Sequence, residues 1–383
     1  MRRSTNRNHG FSLLEMMIAM ALGSIVLAAA VQLYSQGVSA TWTVTQRAEM
    51  QQDFRAAANM LTKDISLAGA SMGNNVQIAL PSGNGIQLPI YGCDQIPKCY
   101  INGGAVAYPT QLVAGVPVPY LYGLIPGSKF GPILNAAPGA TDIITVVNAD
   151  TNLLLSCYTV SVTTATRVQF KLDVDHTKWP CQTPLLNPQK LNDGVVGLTP
   201  GDLIRLNVTI GVGVGATSST VIGEVTNVID RGNDTYDIRF NAGDPLRMNQ
   251  PTAANGSIAN IVGGTGSGTR INVISYYIDN SITPPRLMRQ VSGHTPIPVA
   301  EGVAFLQFTY DLYDFNTGTM RTNQADGGAA LGMTPSQITK INIVHMSVYS
   351  TMHGAKGYQG LDLQTSVSAR DLTFKNDYPL STN

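Results

Sequence analysis

The chain has 383 residues, which is enough for two ordinary domains or one elaborated domain. It carries 24 basic and 24 acidic residues, so its formal net charge is zero, and charged residues make up only 13% of it. The basic residues are scattered and are not interleaved with aromatic residues, so no nucleic-acid partner is predicted for the chain itself. Glycine (38) and proline (21) are frequent, and they predict many turns.

The N-terminus joins a short basic head to a long apolar segment. Three arginines lie within the first seven residues, the junction Gly10–Phe11 follows, and Glu15 is the one charge in the run up to Val31. As an α-helix at about 1.5 Å per residue, residues 11–31 would span about 31 Å, which matches a hydrocarbon core of about 30 Å. By the positive-inside rule the basic head stays cytoplasmic and the remainder of the chain lies outside.

Glu15 is the unusual residue of this segment, because a carboxylate in an apolar helix is costly and usually has a partner. If the chain is cleaved between Gly10 and Phe11, the new α-amino group lies one helical turn from Glu15. The carboxylate then also lies near the positive end of the helix dipole. In a filament, the amino terminus of a neighbouring subunit is an equally good partner.

Two other interpretations of the N-terminus stay open. One is an uncleaved membrane anchor. The other is a secretory signal peptide, because Ala28, Ala29 and Ala30 place small residues behind an apolar run. A carboxylate inside that run is unusual for a signal peptide, and the helical pattern continues to about Leu67, so a processed and retained anchor is preferred.

The segment 32–69 contains no proline and predicts an amphipathic continuation of the helix, ended by Gly69. Its apolar residues recur at steps of three and four, as expected for a helix that packs on a sheet. The predicted buried face consists of Met50, Phe54, Ala57, Leu61, Ile65 and Ala68. With no proline in the anchor, any flexibility of the helix is expected at Gly23 or Gly37.

By amino-acid composition, the rest of the chain divides into a loop region rich in Pro and Gly at 70–140 and a β-rich domain at 141–383. Short strands are expected in the loop region at Val76–Leu80 and Gly85–Pro89. Segments rich in Val, Ile, Thr and Tyr between turn residues predict strands in the β-rich domain. Its first six are predicted at Asp142–Asn148, Leu154–Thr163, Arg167–Val174, Asp202–Thr209, Thr220–Ile229 and Thr235–Phe240.

Four cysteines are present, Cys93, Cys99, Cys157 and Cys181, and an even number in a chain predicted to be exported indicates disulfides. Three connectivities are possible. Loop closure favours the local pairs Cys93–Cys99 and Cys157–Cys181. A metal site is the alternative, but there is no C-x-x-C motif and no histidine at ligand spacing nearby.

No motif predicts catalysis, a cofactor or a metal, so no catalytic, cofactor-binding or metal-ligating residue is assigned and the chain is not expected to be an enzyme. His345 and His353 lack a third ligand in register. The oxygen-rich run from Asp311 to Gly318 lacks the spacing and final Glu of a calcium loop, and an Asp/Asn/Gly turn explains it at least as well. The glycine-rich run 263–268 lacks the Lys-Ser/Thr ending of a phosphate loop and is expected to be a flexible connection.

The basic head, the Gly10–Phe11 junction, Glu15 and the apolar run resemble the N-terminus of type IV pilins and type II secretion pseudopilins. The last third of the chain is similar to PilW-type minor pilins, and J-type minor pseudopilins share a similar plan. The segments that carry this second resemblance are Arg270–Ile278, Pro285–Gln290, Pro298–Tyr310, Ile338–Tyr349 and Leu363–Asp371. Within them, Gly302 is expected to allow a turn or bulge, and Glu301 is expected to be a solvated or paired surface acid.

The resemblance implies an α+β fold in which a long N-terminal helix packs on a C-terminal antiparallel β domain. It also implies removal of the leader 1–10 by prepilin peptidase, N-methylation of Phe11 and an assembly role for Glu15. The expected location is the inner membrane, with one spanning helix and a periplasmic domain, and then the pilus, where the partners are other pilins or pseudopilins. The expected function is that of a minor pilin that initiates or caps a pilus supporting adhesion, motility or DNA uptake. A minor pseudopilin of type II secretion is the near alternative, and a membrane-anchored periplasmic enzyme or binding protein is a distant one.

Overall fold

The computed structural model describes residues 12–72, 77–91, 106–113, 116–134, 139–173, 190–211, 213–350, 359–369 and 372. The chain divides into two compact units. One comprises Met1–Gln52 with Ser350–Gln359, and the other comprises Asp53–Tyr349 with Gly360–Asn383.

One long α-helix, α1, covers Leu13–Ser66, which confirms the predicted N-terminal helix. The helix runs without interruption through Gly23 and Gly37, so the flexibility expected at these glycines is not visible as a break. A Cβ at either glycine would meet nothing within 4 Å, so packing within the chain does not require glycine there. Gly69, with a φ of +79°, lies three residues beyond the last helical residue, as expected for a C-terminal stop.

The predicted buried face of the distal part of α1 is confirmed at five of its six positions. Met50 is only partly buried, whereas the other five side chains are at most 5% exposed. Those five are Phe54, Ala57, Leu61, Ile65 and Ala68. Arg55, the residue after Phe54 and about 100° around the helix from it, is exposed. Burial of this face supplies the hydrophobic contact that holds the end of α1 in the second unit.

The strands form four sheets, and every pair whose register the structure describes is antiparallel. This arrangement, together with α1, confirms the predicted α+β class. In chain order the strands are β1 (Gln77–Ala79), β2 (Ile90–Tyr91), β3 (Val106–Ala107), β4 (Thr110–Val113), β5 (Val116–Tyr122), β6 (Leu124–Gly127), β7 (Ile143–Ala149), β8 (Tyr158–Thr164), β9 (Arg167–Leu172), β10 (Leu203–Ile210), β11 (Thr217–Glu224), β12 (Asn227–Asp230), β13 (Thr235–Arg239), β14 (Thr265–Asp279), β15 (Arg286–Val291), β16 (Ile297–Glu301), β17 (Val303–Asp314), β18 (Thr319–Gln324), β19 (Ile338–Ser350) and β20 (Gln359–Ser368).

The region 70–140 contains more strand than its composition predicts. The strand expected near Val76–Leu80 is present as β1, but Gly85–Pro89 is not a strand. β5 lies between β1 and β4, although it contains Pro117 and Pro119. Both prolines fall in the stretch of β5 that pairs with β4, and the Leu80 amide, just beyond β1, donates to the Pro119 carbonyl oxygen at 2.9 Å. β5 therefore forms although two of its residues have no N–H group.

An eleven-stranded sheet forms the body of the second unit, and β14 is its centre. This strand of 15 residues pairs with β7, β8, β10 and β15. Two buried hydrophobic clusters flank the sheet, one around Tyr277 and Val147 and the other around Phe170 and Leu206.

Two predictions for this sheet were wrong, one of a single strand and one of a flexible connection. The strand expected at Thr220–Ile229 is two strands, β11 and β12, because the backbone amide of Val225 bonds instead to the Asp202 carbonyl oxygen at 2.7 Å. The glycine-rich run 263–268 is not a connection throughout, since β14 already begins at Thr265. Gly266 and Gly268 are needed within the strand, because a Cβ there would collide with the Asn207 carbonyl oxygen and the Phe170 ring, respectively.

The C-terminal strands form a four-stranded sheet in the order β18-β17-β19-β20. Gly302 separates β16 from β17 with a φ of +73°, which confirms the predicted turn. Glu301 is 60% exposed and forms an ion pair with Arg286 at 2.9 Å, as expected for a surface acid.

A polar cluster, here called the helix clamp, ties the end of α1 to the large sheet. Asp64 accepts hydrogen bonds from the Tyr276 hydroxyl at 2.6 Å and from Arg289 Nε at 2.8 Å. The Asp64 and Tyr276 side chains are buried, and the Asp64–Arg289 pair is also an ion pair. The backbone continues the attachment, because the Gly69 amide bonds to the Val147 carbonyl oxygen at 2.8 Å.

Candidate processing and assembly site

The N-terminus of α1 is closed by a reciprocal pair of hydrogen bonds between Ser12 and Glu15. The Ser12 amide donates to Glu15 Oε2 at 3.1 Å, and the Glu15 amide donates to Ser12 Oγ at 3.3 Å. This is a capping box, in which two of the helix's free N–H groups are satisfied. The carboxylate of Glu15 therefore has a partner inside its own helix.

The predicted cleavage residues Gly10 and Phe11 lie outside the described residues. Ser12 is the first residue whose geometry is described, and the helix begins one residue later. The structure thus places Glu15 in the first turn of α1, where a negative charge interacts favourably with the helix dipole.

The first half of α1 presents apolar side chains to all sides. Every large apolar side chain from Leu13 to Tyr34 is more than half exposed. The helix contains an 18-residue window with a mean hydropathy of 2.2, which is long and apolar enough to cross a membrane, and none of that window is buried within the chain. An apolar surface of this kind, uncovered by the described residues, is typical of a membrane-spanning or subunit-packing helix.

Hydroxyl groups along this half of the helix are satisfied by the helix itself. Ser24 Oγ donates to the Ala21 carbonyl oxygen at 2.8 Å, and Thr41 Oγ1 donates to the Gly37 carbonyl oxygen at 2.9 Å. Bonds of this kind remove the cost of placing a hydroxyl donor among apolar neighbours.

Cys157 is disulfide-bonded and buried. Cys93, Cys99 and Cys181 lie outside the described residues, so the pairing of Cys93 with Cys99 and of Cys157 with Cys181 remains a prediction.

Carboxylate oxygens in the run from Asp311 to Gly318 accept hydrogen bonds from backbone amides of the turn and of the neighbouring strand. Asp314 Oδ1 accepts the amides of Asn316 at 3.0 Å and Thr317 at 3.3 Å. A hydrogen bond from the Thr317 side chain, together with these amides, keeps the pKa of Asp314 below its usual value. Asp311 Oδ1 accepts the Asn323 amide on the neighbouring strand at 2.9 Å. These contacts support the turn explanation of the motif. Within the described ranges no three His, Cys, Asp or Glu side chains lie together as they would around a metal ion.

The sequence identified Glu15 but not its capping partner Ser12, although Ser-x-x-Glu before an apolar run is the signature of a capping box. It also missed the helix clamp. The clamp joins Asp64 to residues more than 200 positions later in the chain, and no local pattern reports such a pairing.

Comparison with known proteins finds one family. Residues 5–31 match the family model described as the prokaryotic N-terminal methylation motif. No curated protein and no solved structure matches the chain.

The matched segment includes the Gly10–Phe11 junction, the Ser12–Glu15 capping box and the most apolar part of α1. A motif of this kind indicates a type IV pilin-like or pseudopilin-like precursor. It is consistent with anchoring in a membrane or in a pilus, and it suggests a structural subunit rather than an enzyme.

Proposed function

We propose that the chain is a minor pilin that helps to initiate or cap a type IV pilus after removal of its leader and methylation of Phe11. The observation that carries this proposal is the continuity of the methylation motif with α1. The motif leads directly into an apolar surface that none of the described residues covers, and the same helix ends in the β-rich second unit. That is the construction of a subunit whose anchor packs against other anchors, first in the membrane and then in a filament.

The N-terminal residue of the mature protein tests the first step of the proposal, which is removal of the leader. N-terminal sequencing of the protein extracted from membranes is expected to begin at Phe11, with that residue N-methylated. A start at Val31 would instead establish the signal-peptide interpretation, and a start at Met1 would establish an uncleaved anchor. A cell lacking prepilin peptidase is the matched control, and it should retain residues 1–10.

Glu15 can act as a cap of α1 or as a charge that pairs with an amino terminus during assembly. Two variants distinguish these roles. Glu15→Gln keeps an oxygen that can accept the Ser12 amide but removes the charge, whereas Ser12→Ala keeps the charge and removes half of the capping box. If the charge pairs with an amino terminus during assembly, Glu15→Gln should block incorporation into filaments, and Ser12→Ala should be incorporated. The loss of the Ser12 cap alone costs about 0.5–2 kcal/mol in helix stability.

The measurement is the amount of each variant in sheared filaments relative to the amount in membranes. Normal incorporation of Glu15→Gln together with failure of Ser12→Ala would show that Glu15 acts only as a cap. Both variants should keep the melting temperature of the β unit, because their contacts are local to the start of α1.

The pilus and secretion alternatives share the motif, and deletion of the gene distinguishes them. Loss of surface filaments with normal protein secretion is expected from the proposal. The reverse result would assign the chain to a secretion pseudopilus.

A further inference from the structure

The second unit contains a cavity of about 440 Å³, here called the tyrosine–proline cavity. Its walls come from the β4–β5 ribbon, from the turn after β6 and from the link between β18 and β19. The volume falls within the range of about 300–1,000 Å³ that is common for small-ligand sites. The cavity is far along the chain from the methylation motif and has no part in processing.

The apolar part of the cavity is made of flat side chains. Tyr91 and Tyr122 line it and are almost fully buried, with Tyr91 held against Tyr108 at a ring separation of 5.0 Å. Phe130 also lines the cavity, but its side chain is 41% exposed. A ligand with a flat apolar face could cover this ring and remove that surface from water.

The polar part of the cavity is arranged before any ligand arrives. Gln77 Nε2 donates to Gln111 Oε1 at 2.9 Å, and Gln111 Nε2 donates to the Tyr122 hydroxyl oxygen at 2.6 Å. The Tyr122 proton is therefore left to donate elsewhere, and the described residues offer it no acceptor. Burial raises the pKa of Tyr122 to about 12, so the hydroxyl keeps this proton at neutral pH.

The wall also contains hydroxyl groups that have no hydrogen-bond partner among the described residues, those of Thr110 and Ser128. In the part of the lining that the structure describes, Asp326 is the one charged residue. Its oxygens accept the amides of Gly328 at 3.0 Å and Ala330 at 2.7 Å, which fixes the carboxylate while leaving lone pairs for further donors.

These features select the chemistry of the ligand. Among the described residues no Lys or Arg lines the cavity and one carboxylate does, so an anion is disfavoured. A proline-rich peptide fits aromatic walls, but it presents carbonyl acceptors and few N–H donors, so it would give Asp326 no donor. A sugar has hydroxyls that both donate and accept and a flat C–H face that stacks on an aromatic ring.

We propose that the tyrosine–proline cavity binds a neutral saccharide, with Phe130 stacking on the sugar ring and with Tyr122 and Asp326 bonding to its hydroxyls. This inference goes beyond the filament role and does not depend on it. It gives the β unit a recognition surface of its own.

Binding is tested by isothermal titration of the full-length protein with lactose, maltose and N,N′-diacetylchitobiose, and with decaproline as the rival ligand. The detergent should be lauryldimethylamine oxide, because maltoside and glucoside detergents carry competing sugars. Saturable binding of at least one disaccharide at one site per chain is expected. Phe130→Ala should weaken it about tenfold, the loss of about 1.4 kcal/mol that one stacked aromatic ring accounts for.

Two further variants make the test specific. Tyr122→Phe keeps the ring but removes the hydroxyl, which is both the donor to the ligand and the acceptor of the Gln111 amide. It should also weaken binding, at a titration temperature where circular dichroism shows that the variant is folded. Phe315→Ala, an aromatic residue with 53% exposure outside the cavity lining, should bind as the unaltered protein does. The proposal fails if none of the three sugars binds saturably, if decaproline binds instead, or if Phe130→Ala and Tyr122→Phe both bind as tightly as Phe315→Ala.

Discussion

Phe54→Ala is expected to lower the free energy of unfolding of the second unit by about 3–5 kcal/mol, the usual cost of truncating a buried aromatic side chain. Phe54 is only 5% exposed and opens the buried face of α1, followed one turn later by Ala57 and then by Leu61. Removing the ring would leave a cavity between the helix and its support. Urea unfolding of the full-length protein in detergent, followed by tyrosine and tryptophan fluorescence, measures the change.

Arg55→Ala is the matched control, because Arg55 is the next residue along the helix and is exposed. Its effect should be within about 0.5 kcal/mol of zero. A neutral Phe54→Ala together with a damaging Arg55→Ala would mean that the orientation of the helix is wrong.

The second large effect is a dependence of stability on pH that comes from one buried carboxyl pair. Burial and the neighbouring Asp244 raise the pKa of Glu224 to about 9, and the Asp244 side chain shares a hydrogen bond with it. Glu224 is 2% exposed, accepts the Leu246 amide at 3.2 Å and lies so close to Gly293 that a Cβ there would collide with its carboxyl group. The folded protein therefore keeps a proton on this pair at neutral pH.

The sign of the effect follows from the two pKa values of Glu224. The unfolded chain loses the proton near pH 4.5 and the folded chain near pH 9, so the folded state binds more protons between these values. Its free energy of unfolding should fall as the pH rises through this range, by about 1.4 kcal/mol per pH unit for one proton. Burial also raises the pKa of Asp142 to about 6, which adds a decline in the same direction below that pH.

Glu224→Gln replaces the protonated carboxyl by a neutral amide that can still donate to Asp244. The variant should lose most of the decline between pH 6 and 9 and should be more stable than the unaltered protein at pH 8.5. Glu301→Gln, at a surface acid with 60% exposure, serves as the control and should leave the slope unchanged. An unchanged slope in Glu224→Gln would mean that Glu224 is ionised in the folded state.

The sequence predicted those parts of the fold in which apolar residues recur at a regular short spacing. The spacing from Phe54 to Ala68 predicted the buried face of α1, since helical periodicity depends only on neighbours within a few turns. Segments rich in β-branched residues predicted most strands, with ends displaced by a few residues. Gly302 was interpreted correctly because its conformation is a property of one position.

The errors arose where distant partners decide the outcome. The Pro and Gly content of 70–140 predicted loops, but β5 forms through Pro117 and Pro119 because β4 pairs with it along that stretch. Gly266 and Gly268 suggested a loose connection, but neighbouring strands approach too closely for any side chain. The tyrosine–proline cavity escaped notice for the same reason, because Gln111, Phe130 and Asp326 come from separate parts of the chain and meet only in the folded protein.

The helix clamp has a mechanical consequence. Tension applied along α1 would reach the sheet where Asp64 holds Tyr276 and Arg289 and where Gly69 bonds to Val147. Asp64 and Gly69 lie close together in the chain, so the side-chain and backbone attachments share any force that the helix transmits. The end of α1 should therefore stay attached to the sheet until the ion pair, the tyrosine hydrogen bond and the backbone hydrogen bond have all broken.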